Sequence, residues 1–252
     1  MNQTIKDIYA RKSVRVFEDR PIGAEEKRYI LEAAIQAPTA GNQGMFAIID
    51  VTDPELKAKL AETCDHQKFI ATAPMVLAFC ADYQRWYDAY LAHGESDVRK
   101  PAHGDMMLAF EDTMIAAHNA VVAAQSMGIG SCYIGDFLEN YEQQKELLNL
   151  PKYVIPAVVV VFGYPTKQQI DRVKPPRFSV EEVVGENTYL RKTGEEFLDM
   201  LKNRHNLEGE AFDRWFTAFY NRKYNSDFSR EMSRSVHAII EAWNEEKKIQ
   251  IK

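Results

Sequence analysis

The chain has few of the residues that would indicate a disulfide scaffold or a metal centre. Its 252 residues include three cysteines and six histidines. The cysteines, Cys64, Cys80 and Cys132, are odd in number and widely spaced, which argues against a disulfide framework and suits a reducing cytoplasm. No two histidines have the spacing of a zinc motif, so we expect no metal site.

Long hydrophobic runs and an excess of positive charge are also missing. The longest apolar stretch, residues 155–162 interrupted by Pro156, is too short to cross a membrane, and the N-terminus lacks the apolar core of a secretion signal. A net charge of −6 argues against a general nucleic-acid binder. We therefore expect a cytoplasmic protein without a membrane or nucleic-acid partner.

What the sequence does contain is the periodicity of an α+β protein. Apolar residues make up 46% of the chain, enough for a sizeable core. The apolar run over 75–80 predicts a strand buried on both faces, one of about four or five strands. A long helix is predicted over 104–127, with Met107 on its apolar stripe and Gly128 ending it. One small sheet wrapped in helices is the predicted architecture.

The densest charged motif is Arg11-Lys12-Ser13-Val14-Arg15, directly after a predicted N-terminal helix. In an extended segment Arg11, Ser13 and Arg15 face the same side because side chains alternate. Guanidinium groups and a hydroxyl bind phosphate oxygens well, so the motif predicts an anion site for a phosphorylated ligand. A solvated basic turn is the simpler explanation for this motif taken alone.

A loop of small and amide residues, Ala37-Pro38-Thr39-Ala40-Gly41-Asn42-Gln43, follows the second predicted helix. Small side chains let the backbone approach a flat ring, and the hydroxyl and the amides can hydrogen-bond to its polar rim. An ordinary helix end followed by a turn explains the same pattern, so the loop alone leaves both interpretations open.

Three motifs, in this order and spacing, resemble the family of FMN-dependent nitroreductases and flavin reductases. They are R-x-S-x-R-x-F from Arg11, A-P-T-A-G-N from Ala37 and G-I-G-x-x-Y-I-G from Gly128. The similarity covers residues 5–180 and is weaker over residues 190–252.

The resemblance implies a nitroreductase-like α+β fold, in which helices surround a small central mixed sheet, and an intertwined homodimer. It implies one domain over residues 1–252, with a flavin-binding core over 1–187 and a helical C-terminal extension over 188–252.

In the resembling enzymes the basic turn binds FMN. Arg11 and Ser13 would hold the phosphate, and Arg15 would lie nearer the pyrimidine edge of the isoalloxazine ring. A cation there stabilises the negative charge that develops at N1 and O2 on reduction. Lys12 would supply a backbone contact or a supporting charge.

The small-residue loop comes from the partner subunit in the resembling family. Pro38, Thr39, Ala40 and Asn42 match it and are therefore expected to bind the flavin of the other protomer. The family commonly has Asn-x-Gln where this chain has Asn42-Gln43-Gly44, so the resemblance assigns no role to Gln43.

Two further segments match positions near the flavin ring. Gln67 corresponds to a residue that contacts the ring in similar reductases, and an ordinary exposed polar residue is the equal alternative. Tyr133, Ile134 and Gly135 form a turn that brings a backbone N–H to flavin N5 in the family, and a glycine permits that close approach. A plain strand-to-helix turn is the alternative.

Lys174 and Arg177 match a late basic pair that closes over the phosphate in the family. The extra Pro176 departs from the usual single proline and leaves the register of the pair open. Aromatic residues from Phe212 to Tyr224 have helical spacing and are expected to pack in the core or at a dimer surface, or to line the substrate pocket.

The resemblance implies an NAD(P)H-dependent oxidoreductase. NADH or NADPH would deliver hydride to FMN, and a nitroaromatic, a quinone or a flavin would then accept the electrons in a ping-pong cycle. No acid–base group is required, so no catalytic residue is assigned. Three alternatives stay open: a related flavin reductase or dehalogenase, a flavin-binding sensor or storage protein without turnover, and a phosphate-binding module without flavin.

Overall fold

The computed structural model describes residues 1–244 of the chain. The chain forms two compact units, one of residues 1–172 together with the segment that starts at residue 231, and one of residues 173–230. The interpretation as a single domain with an extension from residue 188 stays a prediction. Among the described residues, no helix is both long and apolar enough to cross a membrane.

The first unit is built on a four-stranded sheet. Its strands are β1 (Phe46–Asp50), β2 (Met75–Asp82), β3 (Gly130–Ile134) and β4 (Val154–Gly163). The strand order is β1-β2-β4-β3, and its three pairings are antiparallel. The α+β class is therefore confirmed, but the sheet is antiparallel where the resemblance implies a mixed one. The parallel pairing that the structure records is an isolated bridge between Ser13 and Ser131, beside β3.

Burial on both faces of the sheet explains why strand direction could not be read from the sequence. Every residue of β2 and β4 is buried. Alternate residues of β2 enter two core clusters, with Val76 and Ala78 in one and Leu77 and Phe79 in the other. Continuous apolar runs are typical of parallel sheets, and here helical cover on an antiparallel sheet produces the same signal.

The helices of the first unit surround this sheet. They are α1 (Gln3–Ala10), α2 (Ala24–Ile35), α3 (Pro54–Thr63), α4 (Phe69–Thr72), α5 (Gln84–His93), α6 (His103–Ser126), α7 (Tyr141–Leu147) and α8 (Lys167–Asp171). The sequence pattern did not predict α5, because half of its nonpolar side chains are aromatic residues with polar tips, and none of its residues is fully buried.

The longest helix, α6, ends where the sequence predicts. Gly128 takes a φ of +74°, and its N–H donates to the carbonyl oxygen of Gln125. The predicted apolar stripe is wrong at Met107, which is 53% exposed. Small residues, together with the polar Asp112 and Thr113, form the buried face instead and allow α6 to lie close to the sheet.

The second unit is helical over its described elements. They are α9 (Val180–Val183), α10 (Gly194–His205), α11 (Gly209–Lys223) and the first turn of α12 (Asp227–Asn244), which continues into the first unit. Phe212 is buried and its ring stacks on Phe216 at 5.8 Å, while Trp215 stacks on Phe219 at 5.5 Å. The late aromatic residues thus pack along one helix, as their spacing predicts.

Candidate functional site

The basic turn after α1 lies along the edge of the sheet. Ser13 pairs with Ser131 of β3, and the N–H of Val14 donates to the carbonyl oxygen of Ser131 at 2.9 Å. The two segments approach so closely that a Cβ at Gly130 would lie 2.7 Å from a methyl group of Val14. Glycine at position 130 is what permits this approach.

This docking brings the predicted phosphate-binding side chains to one place on β3. The charges of Arg15 and Arg11 both act on the thiol of Cys132, and Ser13 hydrogen-bonds to it. Burial raises the pKa of Cys132, and these three groups oppose that rise. The guanidinium carbon of Arg11 also lies 5.9 Å from the ring centroid of Tyr133. The expected grouping of Arg11, Ser13 and Arg15 is therefore present in the structure.

Arg11 has a buried donor atom that an anionic ligand would satisfy. Its Nη1 atom is buried and has no hydrogen-bond partner among the described residues. A buried guanidinium N–H without an acceptor is costly, and proteins rarely retain one unless another group satisfies it. The atom can donate to an anion that no described residue supplies.

Lys12 points to a different neighbour from Arg11 and Ser13. Its Nζ atom donates to the carbonyl oxygens of Ile170, at 2.6 Å, and Arg172 at the end of α8. Arg172 in turn donates to the carbonyl oxygen of Ser13. The ammonium group thus ties the basic turn to α8, and a role for Lys12 at the flavin stays a prediction.

A large cavity of the first unit lies beside Arg15. It has a volume of about 640 Å³, and its lining includes Arg15, Lys68 and Phe69. The guanidinium carbon of Arg15 lies 5.9 Å from the ring centroid of Phe69. Gln67 precedes these residues directly, is half-buried, and donates to the carbonyl oxygen of Cys64 at 3.0 Å. Gln67 and Arg15, far apart in sequence, thus belong to the same region.

The turn after β3 is open to solvent at Gly135. Gly135 is exposed and begins the 3-10 turn Gly135–Leu138, and a Cβ added there would meet nothing within 4 Å. Ile134 before it is buried in the core, whereas the hydroxyl of Tyr133 lies 3.3 Å from Nδ1 of His118 on α6. The exposed Gly135 thus directly follows a buried residue at the end of β3.

Glu139, which sequence reasoning missed, closes this turn with a buried carboxyl group. It is 4% exposed, and its Oε1 atom has no hydrogen-bond partner among the described residues. Burial, and then the nearby charges of Asp136, Asp65 and Glu231, raise the pKa of Glu139 to about 7. No sequence pattern marks this residue, because its environment forms only when three separate segments meet.

The small-residue loop is anchored by a second residue that sequence reasoning missed. Asp112, on the buried face of α6, accepts hydrogen bonds from the hydroxyl of Thr39 and from the backbone N–H groups of Ala40 at 2.9 Å and Met45 at 3.3 Å. The Thr39 oxygen also accepts from the N–H of Gly44 at 2.8 Å. An acid within the apolar stripe of α6 was the available sequence signal.

The outer part of this loop is exposed and has an unusual backbone. Pro38 and Asn42 are exposed, and Asn42 has a φ of +58° in the left-handed region. Gln43 faces α5, where Nε1 of Trp86 donates to its carbonyl oxygen at 2.9 Å. The loop therefore presents Pro38 and Asn42 outward, while the backbone carbonyl of Gln43 fixes it to α5. The side-chain amide of Gln43 also lies 3.5 Å from the hydroxyl of Tyr90 on α5.

The late basic pair lies in the second unit. Arg177 is exposed, and its Nη1 atom donates to the carbonyl oxygen of Pro175 at 2.9 Å. Lys174 is half-buried in the same proline-containing segment. A role for either residue at the flavin phosphate stays a prediction.

Within residues 1–244, no cluster of three or more histidine, cysteine, aspartate or glutamate residues is placed to hold a metal ion. The three cysteines are buried and unpaired. Burial raises the pKa of Cys64 and of Cys80 to about 12, which keeps both thiols protonated and unreactive.

Curated proteins of known activity are similar to this chain over most of its length. An FMN reductase (NAD(P)H) of Bacillus subtilis is 31% identical over 243 residues, covering 96% of this chain and 92% of that protein. An NADPH-flavin oxidoreductase of Vibrio harveyi is 34% identical over 189 residues, covering 75% of each.

Solved structures and a family model agree with these relatives. Nitroreductase A from Vibrio parahaemolyticus superposes with a TM-score of 0.80 at 28% identity, covering 95% of this chain and 98% of that one. The NADPH:FMN oxidoreductase from Vibrio harveyi, complexed with NAD+, gives a TM-score of 0.76 at 28% identity over the same shares. The model of the Nitroreductase family matches residues 8–164, more than half of the chain. The chain therefore belongs to the Nitroreductase family.

Proposed function

We propose that this protein is an FMN-dependent NAD(P)H oxidoreductase that reduces small acceptors such as nitroaromatics, quinones or flavins. The observation that carries the proposal is the convergence of Arg11, Ser13 and Arg15 on Cys132 and Tyr133 of β3. The relatives support it, because they are named as FMN reductases and as a nitroreductase.

The basic turn fits a phosphate group. Arg11 offers a buried N–H that has no acceptor among the described residues, and Ser13 offers a hydroxyl on the same side of the turn. A charge-assisted hydrogen bond to a phosphate oxygen would satisfy the orphaned donor. Lys12 would act indirectly, by holding the turn to α8. Lys174 and Arg177 of the second unit stay proposed as phosphate-binding residues, on the family resemblance.

The segments around the large cavity fit a flat ring with a polar rim. Arg15 would place its positive charge near the pyrimidine edge of the ring. Gln67 directly precedes Lys68 and Phe69, which line the cavity together with Arg15. The open Gly135 turn would present a backbone N–H to the ring. When bound, FMN supplies the hydride-transfer chemistry, and the chain supplies orientation and charge. No side chain is needed as an acid or base.

We propose a homodimer in which Pro38, Thr39, Ala40 and Asn42 complete the partner's site. Apolar side chains left exposed on α1 and α6, two helices in mutual contact, support an interface there. They are Ile5, Ile8, Met107, Leu108 and Ile115, each between 40% and 53% exposed. Light scattering of the purified protein tests this, since a monomer at working concentration would contradict it.

A cytoplasmic location is part of the proposal. Its support is the reduced state that suits three buried, unpaired cysteines. The identity of the acceptor is open among the classes named above, and a substrate scan separates a nitroreductase from a flavin reductase or a dehalogenase.

The absorbance spectrum of the purified protein tests the function. We expect a yellow protein that anaerobic NADPH or NADH bleaches and that an added nitroaromatic or quinone returns to yellow. A yellow protein that neither nucleotide bleaches would indicate a flavin-binding sensor or storage protein. A colourless protein that does not take up FMN would indicate a phosphate-binding module, and either result overturns the proposal.

A further inference from the structure

A second cavity of the first unit is lined by aromatic rings. Its volume is about 400 Å³, and its walls are Tyr83, Tyr87 and Tyr90 on one side and the segment 95–99 on the other. This volume lies within the range of small-molecule sites. None of the lining residues belongs to the flavin site proposed above, so the cavity calls for its own explanation.

One wall of the cavity is packed from behind by further aromatic rings. Tyr87 packs edge-on against Tyr153, with ring centroids 5.2 Å apart, and Tyr153 packs in the same way against the buried Trp243 at 5.1 Å. The backbone N–H of Tyr83 donates to the carbonyl oxygen of Tyr153 at 3.0 Å. A ligand would therefore meet a Tyr87 ring that is already packed in place, which lowers the entropy cost of binding.

The charge around the cavity is negative. Glu95 and Asp97 are exposed on its rim, where Glu95 also lies 3.0 Å from Nδ1 of His93. The one guanidinium group in the lining, that of Arg99, is bound to both carboxylate oxygens of Asp105, one of them at 2.8 Å. These bonds hold the pKa of Asp105 below its ordinary value, so the charge of Arg99 is neutralised locally.

We propose that this cavity binds an organic cation with an alkylated ammonium head. Aromatic faces attract such cations through their quadrupoles, and ammonium groups without N–H donors lose little when they leave water. The two rim carboxylates add attraction for positive charge and repel phosphates and carboxylic acids. The inference goes beyond the proposed flavin chemistry and does not depend on it.

Calorimetric titration of the purified full chain tests the site with choline as the cation and 3,3-dimethylbutan-1-ol as its neutral isostere. The two probes have the same shape, so a difference between them reports charge. We expect choline to bind at least about tenfold more tightly than the alcohol, the ratio that cation–π contacts and two carboxylates would supply. Equal affinities, or no binding of choline at concentrations on the order of 10 mM, would overturn the proposal.

Variants locate the binding. Tyr90→Leu removes one ring, and we expect choline affinity to fall by about threefold to thirtyfold. The double variant Glu95→Gln, Asp97→Asn changes only exposed side chains, so it keeps the test valid if Tyr90→Leu folds poorly. It should also weaken choline and leave the alcohol unaffected.

Tyr29→Leu is the matched control, because Tyr29 is a half-exposed tyrosine on α2 that does not line this cavity. It should leave choline affinity unchanged. Choline binding that survives both cavity changes, or that falls equally in Tyr29→Leu, would mean that the cation binds elsewhere and would contradict the assignment. Running the same titrations with flavin-free protein separates this result from the fate of the proposed oxidoreductase function.

Discussion

Two segments that sequence motifs assign to one flavin site satisfy their hydrogen bonds in opposite ways. In the small-residue loop, the Thr39 hydroxyl donates to Asp112 and accepts from Gly44, so its capacity is used within the chain. In the basic turn, Arg11 keeps a buried N–H without an acceptor among the described residues. The small-residue loop therefore contributes a fixed backbone shape, whereas the basic turn contributes a hydrogen-bond donor that is available to an anion.

The largest expected effect on stability comes from removing Asp112, which anchors the small-residue loop. Asp112→Ala leaves the donors of Thr39, Ala40 and Met45 without their acceptor inside the protein. At about 1 kcal/mol for each lost bond, we expect the free energy of unfolding to fall by about 3 kcal/mol. Urea denaturation measures this, and Glu111→Ala, an exposed acid next to Asp112 on α6, is the control. A loss no larger than the control's would show that the loop holds its shape by other means.

The corresponding change in the basic turn should affect the cofactor more than the fold. Arg11→Leu removes a charge-assisted donor, and we expect FMN affinity to fall by about tenfold to a hundredfold while thermal stability of the flavin-free protein is kept or raised. Fluorescence titration with FMN measures the affinity. Arg28→Leu removes an exposed arginine from α2 and should change neither quantity. An unaltered FMN affinity in Arg11→Leu would show that the basic turn does not bind the cofactor.

The pH dependence of stability tests the protonation state of Glu139, which lies in the turn after Gly135. The folded-state pKa of Glu139, about 7, lies above the ordinary value of 4.5 for a free glutamate. The folded state therefore holds the proton more tightly than the unfolded state, and the stability from this group is present below pH 4.5 and is lost as pH rises through 7. Glu139→Gln, which resembles the protonated form, should be about 1–2 kcal/mol more stable than the parent at pH 8 and nearly equal at pH 4.5.

Urea denaturation at several pH values measures that difference. Glu142→Gln is the control, because the hydrogen bonds of Arg234 lower the pKa of Glu142 and the same substitution should destabilise the protein at pH 8. A Glu139→Gln protein with the parent's pH dependence would show that the buried carboxyl group is ionised at neutral pH.

The smallest expected effect is on FMN affinity when Tyr133 is changed. Two variants distinguish the contribution of its ring from that of its hydroxyl. The ring faces the Arg11 guanidinium, and the hydroxyl lies near the exposed His118. Tyr133→Phe should keep FMN affinity within about twofold, whereas Tyr133→Leu, which removes a cation–π contact, should lower it by about threefold. Equal losses in the two variants would assign the effect to the hydroxyl instead.

The sequence predicted some features of the fold and of the candidate site but not others. Local features could be predicted where a residue pattern has one structural explanation: Gly128 ends α6, and residues 75–80 form a fully buried strand. The antiparallel arrangement could not be read, because helical cover on both faces gives parallel and antiparallel strands the same apolar pattern.

Within the candidate site, the structure places the motif residues Arg11, Ser13 and Arg15 beside β3, and their binding of FMN stays a prediction. Asp112 and Glu139 were not predicted, since each acts through neighbours from distant segments. A buried acid among small apolar residues in α6 is informative only once the loop that it anchors is known. The charges that surround Glu139 come from three separate segments of the chain.

The most direct test of the central claim compares FMN with riboflavin, which has the same ring but no phosphate. Flavin-free protein, and the same protein carrying Arg11→Leu and Ser13→Ala, are titrated with each ligand by fluorescence quenching. We predict that the parent binds FMN at least about a hundredfold more tightly than riboflavin, and that the double variant loses most of this preference. Equal affinity of the parent for the two ligands, or a preference that survives the double substitution, would contradict the account.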